Sequence, residues 1–193
     1  TLIDTIHDKM NLIYEYMDLR KKCLKLDEIH MYDIYVDLVE SNNDKVPFEE
    51  GKKILFEALK PLGEKYLNDL QKAFDEKWID IYPSEGKRSG AYSWGCYDSY
   101  PYLLLNYNDT VDAVSTMAHE LGHSMHSYYS HKNQPYVDSN YPIFLAEIAS
   151  TVNEVLINDY LYKNAKTKED KIYYLNDFLE TVRATIYRQT MFA

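Results

Sequence analysis

Apolar residues in this chain recur mostly at helical spacing, and the polar positions between them mark where one helix gives way to the next. Across residues 2–26, Leu2, Ile6, Ile13, Tyr16, Met17 and Cys23 follow a helical period, which predicts one helix. Lys21, Lys22 and Lys25 crowd its end, where cations suit the negative pole of the helix dipole. Residues 32–39 alternate only in part and fit either an extended segment or a helical turn, and Ser41-Asn42-Asn43-Asp44 reads as a polar loop. Pro47, with Glu49 and Glu50 behind it, opens a helix through Ile54, Leu55, Ala58 and Leu59 that Pro61 ends or kinks. A further helix runs through Tyr66, Leu67, Leu70, Ala73 and Phe74.

The pattern then changes. Trp78-Ile79-Asp80-Ile81-Tyr82 is β-prone and Pro83-Ser84-Glu85-Gly86 reads as a turn. Two short β-rich runs follow, the second containing Tyr102-Leu103-Leu104-Leu105, and they predict a small hairpin. A helix should start at Asp109 or Thr110 as N-cap and continue through Val114, Met117, Ala118, Leu121 and Met125. Residues 127–140 read as loop. From Pro142 another helix is expected, with Ile143, Phe144, Ile148, Val152, Val155 and Leu156 as its apolar face, and a last one from about Lys171. The fold class is mainly α, with a small β-hairpin beside the helix of residues 110–125. Neither an internal repeat nor a low-complexity linker divides residues 1–193, which read as a single region. Both ends fall inside helical or apolar patterns, as expected of a fragment of a larger protein.

Composition narrows the function classes. A hydrophobic fraction of 46% is enough for a packed core. The formal charge of −10 argues against nucleic acid as a partner, since phosphate binding needs a basic surface. Cys23 and Cys96 lack metal-ligand or disulfide-framework spacing. No apolar run approaches the roughly 20 residues of a membrane span, so membrane is not an expected partner and the cytoplasm is the expected location.

The chemistry sits in His119-Glu120-Leu121-Gly122-His123, an H-E-x-x-H run. On a helix, positions i and i+4 share a face, so His119 and His123 can grip one ion while Glu120 stands beside it as a general base. Glu147, isolated within Ile143-Phe144-Leu145-Ala146-Glu147-Ile148-Ala149, is the expected third ligand, because an unpaired carboxylate buried there would be costly. Two His and one Glu leave an open coordination position, the pattern of a catalytic zinc rather than a structural one. Gly122 costs about 1 kcal/mol relative to Ala within a helix, so close packing is expected against it. His126 stands beside the site or at the surface, since a third imidazole with Glu147 would close the coordination shell.

Gly86-Lys87-Arg88-Ser89-Gly90-Ala91-Tyr92-Ser93-Trp94-Gly95, the run from His119 to Tyr129, and Ile143-Phe144-Leu145-Ala146-Glu147-Ile148-Ala149-Ser150-Thr151 with Asn153-Glu154 resemble the oligoendopeptidase F group of thimet-oligopeptidase-like zinc metallopeptidases. Tyr187-Arg188-Gln189-Thr190-Met191-Phe192-Ala193 fits as well. The resemblance implies a zincin-type helical fold and hydrolysis of internal bonds in short peptides with one Zn2+ ion. It implies His119, His123 and Glu147 as ligands and Glu120 as base. Ala91, Tyr92, Ser93, Trp94 and Gly95 would form the edge that pairs with substrate, and Glu154 would accept from a ligand imidazole N–H. Thr151 stands where a thermolysin-type acid would be. The remainder of a longer parent chain is an implied partner and would supply the His and Tyr that stabilise the oxyanion. The competing expectation is a helical scaffold or binding fragment with a vestigial or incomplete metal site.

Overall fold

The computed structural model describes residues 1–39 and 45–192; the expected loop at 41–44 lies outside them. Internal contacts divide the chain into two compact units, Thr1–Asn42 with Leu161–Ala193, and Asn43–Tyr160. No linker-like composition marks either boundary.

In the first unit, the expected helix of residues 2–26 is two helices, α1 (Leu2–His7) and α2 (Met10–Leu24). Asp8 caps α1, and Lys9 leaves helical geometry at φ −112°, ψ 16°, within a His7-Asp8-Lys9 run that has no apolar anchor to carry a helix across it. Lys25 closes α2 in the left-handed region at φ 57°. Asp33–Tyr35 is a single 3₁₀ turn, the helical one of the two alternatives. The last helices of the chain also belong here; Thr167 caps the first of them with an Asp170 capping box, so that it begins at Lys168, three residues before the expected start. Arg20, 1% exposed, ties this unit together through Glu180 at 3.3 Å and the Asp33 carbonyl at 3.2 Å.

The second unit opens with α3 (Phe48–Ala58), a 3₁₀ turn at Lys60–Leu62 holding Pro61, and α4 (Glu64–Asp75). Three short strands follow: β1 (Ile79–Asp80), β2 (Tyr92–Trp94) and β3 (Tyr102–Leu104). β2 and β3 are the expected antiparallel hairpin, with Ser93 opposite Leu103. β1 adds to the far side of β3 in parallel, so the sheet order is β1-β3-β2 and β2 is an edge. β1 lies in the β-prone run of residues 78–82, but its parallel pairing carries no local signal, because it is joined by a crossover and not by a turn.

Thr110 is the N-cap of α5 (Val111–Asn133); its Oγ accepts from the Ala113 N–H at 3.1 Å. The helix runs six residues past Ser127, where a loop was expected. Its last turns are anchored on α4: the Tyr129 hydroxyl donates to Asp69 at 3.0 Å, and Lys72 bridges Asp69 at 2.6 Å and the Tyr128 hydroxyl at 2.9 Å. These tertiary bonds override the polar, loop-like composition. Val114, Met117, Ala118, Leu121 and Met125 are all at most 1% exposed and form the centre of the unit's core with Leu55, Leu70 and Trp78.

α6 (Ile143–Asn164) packs on α5 by an unexpected face. Of the six residues read as its buried stripe, Ile143, Phe144, Ile148, Val152 and Val155 are 43–82% exposed and Leu156 is half-buried, whereas Ser150, Asn153 and Ile157 are buried. Close approach selects that face. A Cβ on Gly122 would lie 2.6 Å from the Ser150 Cα and 2.8 Å from the Ala149 carbonyl oxygen, so the two backbones touch where Gly meets small residues. Asn153 fixes the contact by donating to the Ala118 carbonyl at 2.9 Å. α7 (Lys168–Val182), a π-helical turn at Arg183–Tyr187 and α8 (Arg188–Thr190) complete the chain. Among the described residues no helix is long and apolar enough to cross a membrane.

The Gly122 contact makes a firm prediction. Gly122→Ala should gain helix propensity yet lower stability by about 1–3 kcal/mol through backbone overpacking, read as a fall in Tm by calorimetry. An unchanged or higher Tm would mean that the helices do not meet there.

Candidate metal centre

His119 and His123 lie one turn apart on α5, and their Nε2 atoms are 3.0 Å from each other. Glu147, in the second turn of α6, brings Oε2 to 3.5 Å from His119 Nε2 and 3.4 Å from His123 Nε2. These three residues form a cluster with the donor atoms to hold a cation. Gly122 lies between the two histidines on α5 and its contact Ser150 lies three residues after Glu147 on α6, which is why two helices can place three side chains at one point.

Both imidazoles are fixed from behind. His119 Nδ1 donates to Glu154 Oε1 at 2.9 Å, and the carboxylate's charge sets that tautomer. Nε2 of His119 therefore turns a lone pair towards the cluster. The Ala146 carbonyl, one residue before Glu147, accepts from the His123 ring. Ser150 Oγ donates to Glu147 Oε2 at 2.9 Å.

Two imidazole nitrogens and a carboxylate oxygen facing one another at 3.0–3.5 Å repel unless positive charge lies among them. A tetrahedral zinc with bonds of about 2.0–2.1 Å spaces its ligand atoms by about 3.3 Å. The donor set and its spacing fit such an ion. The Glu147 side chain is 54% exposed, so the burial cost expected from its apolar sequence neighbours does not apply: those neighbours point outward with it.

Electrostatics separate the roles available to these groups. The Glu154 hydrogen bond holds the His119 pKa above the ordinary imidazole value, outweighing burial. Burial, with the charge of His119 next, pushes His123 down. Glu120, 8% exposed, is outside the three-atom cluster, and burial raises its carboxyl above the ordinary carboxylate value. A raised carboxyl is a better proton acceptor and donor near neutral pH. The Ser93 backbone hydrogen-bonds Glu120, which sets β2 directly beside it.

The remaining expected residues are placed as follows. Ser93 lies on the inner face of β2 and its Oγ meets Ser124 Oγ of α5 at 2.8 Å, while Tyr92 and Trp94 point outward, 51% and 76% exposed. Ala91 precedes the strand and lines a cavity of about 620 Å³ that reaches His119 and Glu120; Gly95 ends it against the Tyr100 carbonyl. His126 stacks on Tyr141, with centroids 3.7 Å apart, and its buried Nδ1 has no hydrogen-bond partner among the described residues. Thr151 donates back to the Glu147 carbonyl. Sequence reasoning missed Ser150, Asn153 and Ala146, which hold α6 and His123 in place. Small and polar residues at i and i+3 within an otherwise apolar helix were the available signal for the first two.

A sequence profile of peptidase family M3 matches residues 1–193. The chain belongs to that family. Among M3 peptidase relatives, Oligopeptidase PepF of Bacillus subtilis (strain 168) is 47% identical over 192 residues, covering 100% of this chain and 29% of the relative. The chromosomal Oligoendopeptidase F of Lactococcus lactis subsp. cremoris is 46% identical over 193 residues, covering 100% and 32%. A crystal structure from Chlamydophila abortus superposes with a TM-score of 0.93 at 46% identity, covering 99% of this chain and 32% of that one. The resemblance to oligoendopeptidase F therefore extends over the whole chain, as does the mainly helical fold with a small sheet beside α5. The chain spans about a third of the length of these M3 relatives.

Metal titration tests the ligand arrangement. His123→Ala should abolish stoichiometric zinc binding, and Glu154→Gln should weaken it by about 10- to 100-fold, measured by competition with a chelating dye. Full-affinity zinc in His123→Ala would remove the ligand set.

Proposed function

We propose that this region is the metal-bearing part of a zinc-dependent endopeptidase that hydrolyses internal bonds of short peptides. The observation that most supports this is the meeting of His119, His123 and Glu147 from two helices, with the buried, unligated Glu120 next to them. The names of the relatives, an oligopeptidase and an oligoendopeptidase, supply the substrate class. The charge of −10 is in keeping with peptides, not nucleic acids, as partners, and the reading takes the cytoplasm as the place of the reaction.

His119, His123 and Glu147 would hold one zinc ion, which when bound acts as a Lewis acid that polarises the scissile carbonyl and acidifies water. Glu120 takes the proton of the attacking water and returns it to the leaving amine, and its raised pKa suits both transfers. Glu154 and the Ala146 carbonyl keep the two imidazoles turned towards the ion through the cycle. β2 offers its free edge, residues 91–95, to an extended peptide, so that backbone hydrogen bonds align the bond to be cut irrespective of its side chains.

In the complete natural protein, Glu120→Gln should retain one zinc per chain while lowering kcat for a quenched peptide by at least about 10²-fold. Turnover at the unaltered rate would show that another group handles the proton.

A further inference from the structure

The cavity of about 620 Å³ beside Glu120 has a polarity that the hydrolytic reaction alone does not use. One wall is the first turns of α5, where Asp112, Ala113, Thr116 and Glu120 recur at helical spacing on one face. The opposite wall is the segment entering β2, Gly90 and Ala91, pinned by Asn106, whose amide donates to the Arg88 and Gly90 carbonyls at 2.9 and 2.8 Å. Among the described residues no lysine or arginine lines it.

We propose that this cavity receives the side chain of the residue following the cleaved bond, and that Asp112 makes it favour lysine or arginine there. The proposal rests on the endopeptidase reading above. Two independent features place that residue in this cavity. The proton leaving Glu120 goes to the amine side of the cut, and Glu120 is itself part of the cavity wall. An antiparallel peptide on the free edge of β2 runs opposite to Tyr92–Trp94, so its C-terminal half passes Tyr92 and then Ala91 and Gly90, which line the same cavity. Both routes lead to the residue after the scissile bond.

Chemistry at the far end then selects the side chain. Ala91, Ala113 and Thr116 are small, leaving length for an extended side chain, and Asp112 stands two turns from His119 along the wall. Glu154 is committed to His119 and Glu120 to the proton transfer, so of the three acids lining the cavity Asp112, exposed at its mouth, is the one left to meet an incoming cation. Among the described residues Asp112 has no ion-pair partner. Its position in the first turn of α5 also suits the helix dipole, and the experiment separates that role from substrate selection.

The zinc-loaded complete protein is assayed on matched quenched peptides with Lys, Glu or Leu after the cleaved bond, the cut being located by mass spectrometry. The kcat/KM ratio of Lys over Glu should be about tenfold, should fall to near one in Asp112→Asn and should invert in Asp112→Lys. The same order of dissociation constants should appear without turnover when the peptides are titrated into Glu120→Gln. A ratio unaffected by either Asp112 substitution overturns the proposal, as does a parallel loss for all three peptides, which is what a helix-end role would give. Absence of chelator-sensitive cleavage in the unaltered protein would instead sink the peptidase reading, while the binding ratios would still decide the pocket.

Discussion

The metal centre depends on a contact that has no side chain on one side of it. Gly122 lets the backbone of α5 approach the Ala149–Ser150 segment of α6 so closely that a methyl group has no room. Glu147 lies one turn before that point on α6, and His119 and His123 flank it on α5, so the helix separation sets the distance between imidazoles and carboxylate. A thicker contact would move Glu147 away from both nitrogens together. Buried Asn153 maintains the approach with a hydrogen bond to α5, while buried Ser150 keeps the contact thin and bonds Glu147 within α6.

Around that contact the side chains divide into those that face the metal position and those that hold them there. Glu154 and the Ala146 carbonyl orient one imidazole each, and both come from α6, the helix that also supplies Glu147. The two helices thus form a reciprocal unit: α5 brings the imidazoles and α6 brings the acceptors behind them and the third donor. Glu120 lies about 100° further round α5, beside the cluster and against β2, where burial and the Ser93 backbone govern its protonation. One helix can therefore present ligands to one neighbour and a proton-transfer group to another.

Much of this was legible in the sequence because it is local. H-E-x-x-H fixes its own geometry on a helix, Thr110 and Pro47 mark helix starts, and the turn-rich stretch around Gly90 and Gly95 marks the hairpin. Glu147 was legible as an isolated acid, though the cost assigned to burying it was misplaced, since it is half exposed. What failed was tertiary. Large apolar residues on α6 read as its packing face, yet close backbone approach demands small residues, and Ser150 and Asn153 won. The extension of α5 to Asn133 depends on Asp69 and Lys72, some sixty residues away, and no window of local sequence could reveal it.

X-ray absorption at the zinc edge of the complete protein tests the central claim most directly, because it reads the atoms around the ion. The account predicts a first shell of two imidazole nitrogens and carboxylate oxygen at about 2.0–2.2 Å, with the carboxylate contribution lost in Glu147→Ala. A shell containing sulfur, or one that Glu147→Ala leaves unchanged, would contradict it.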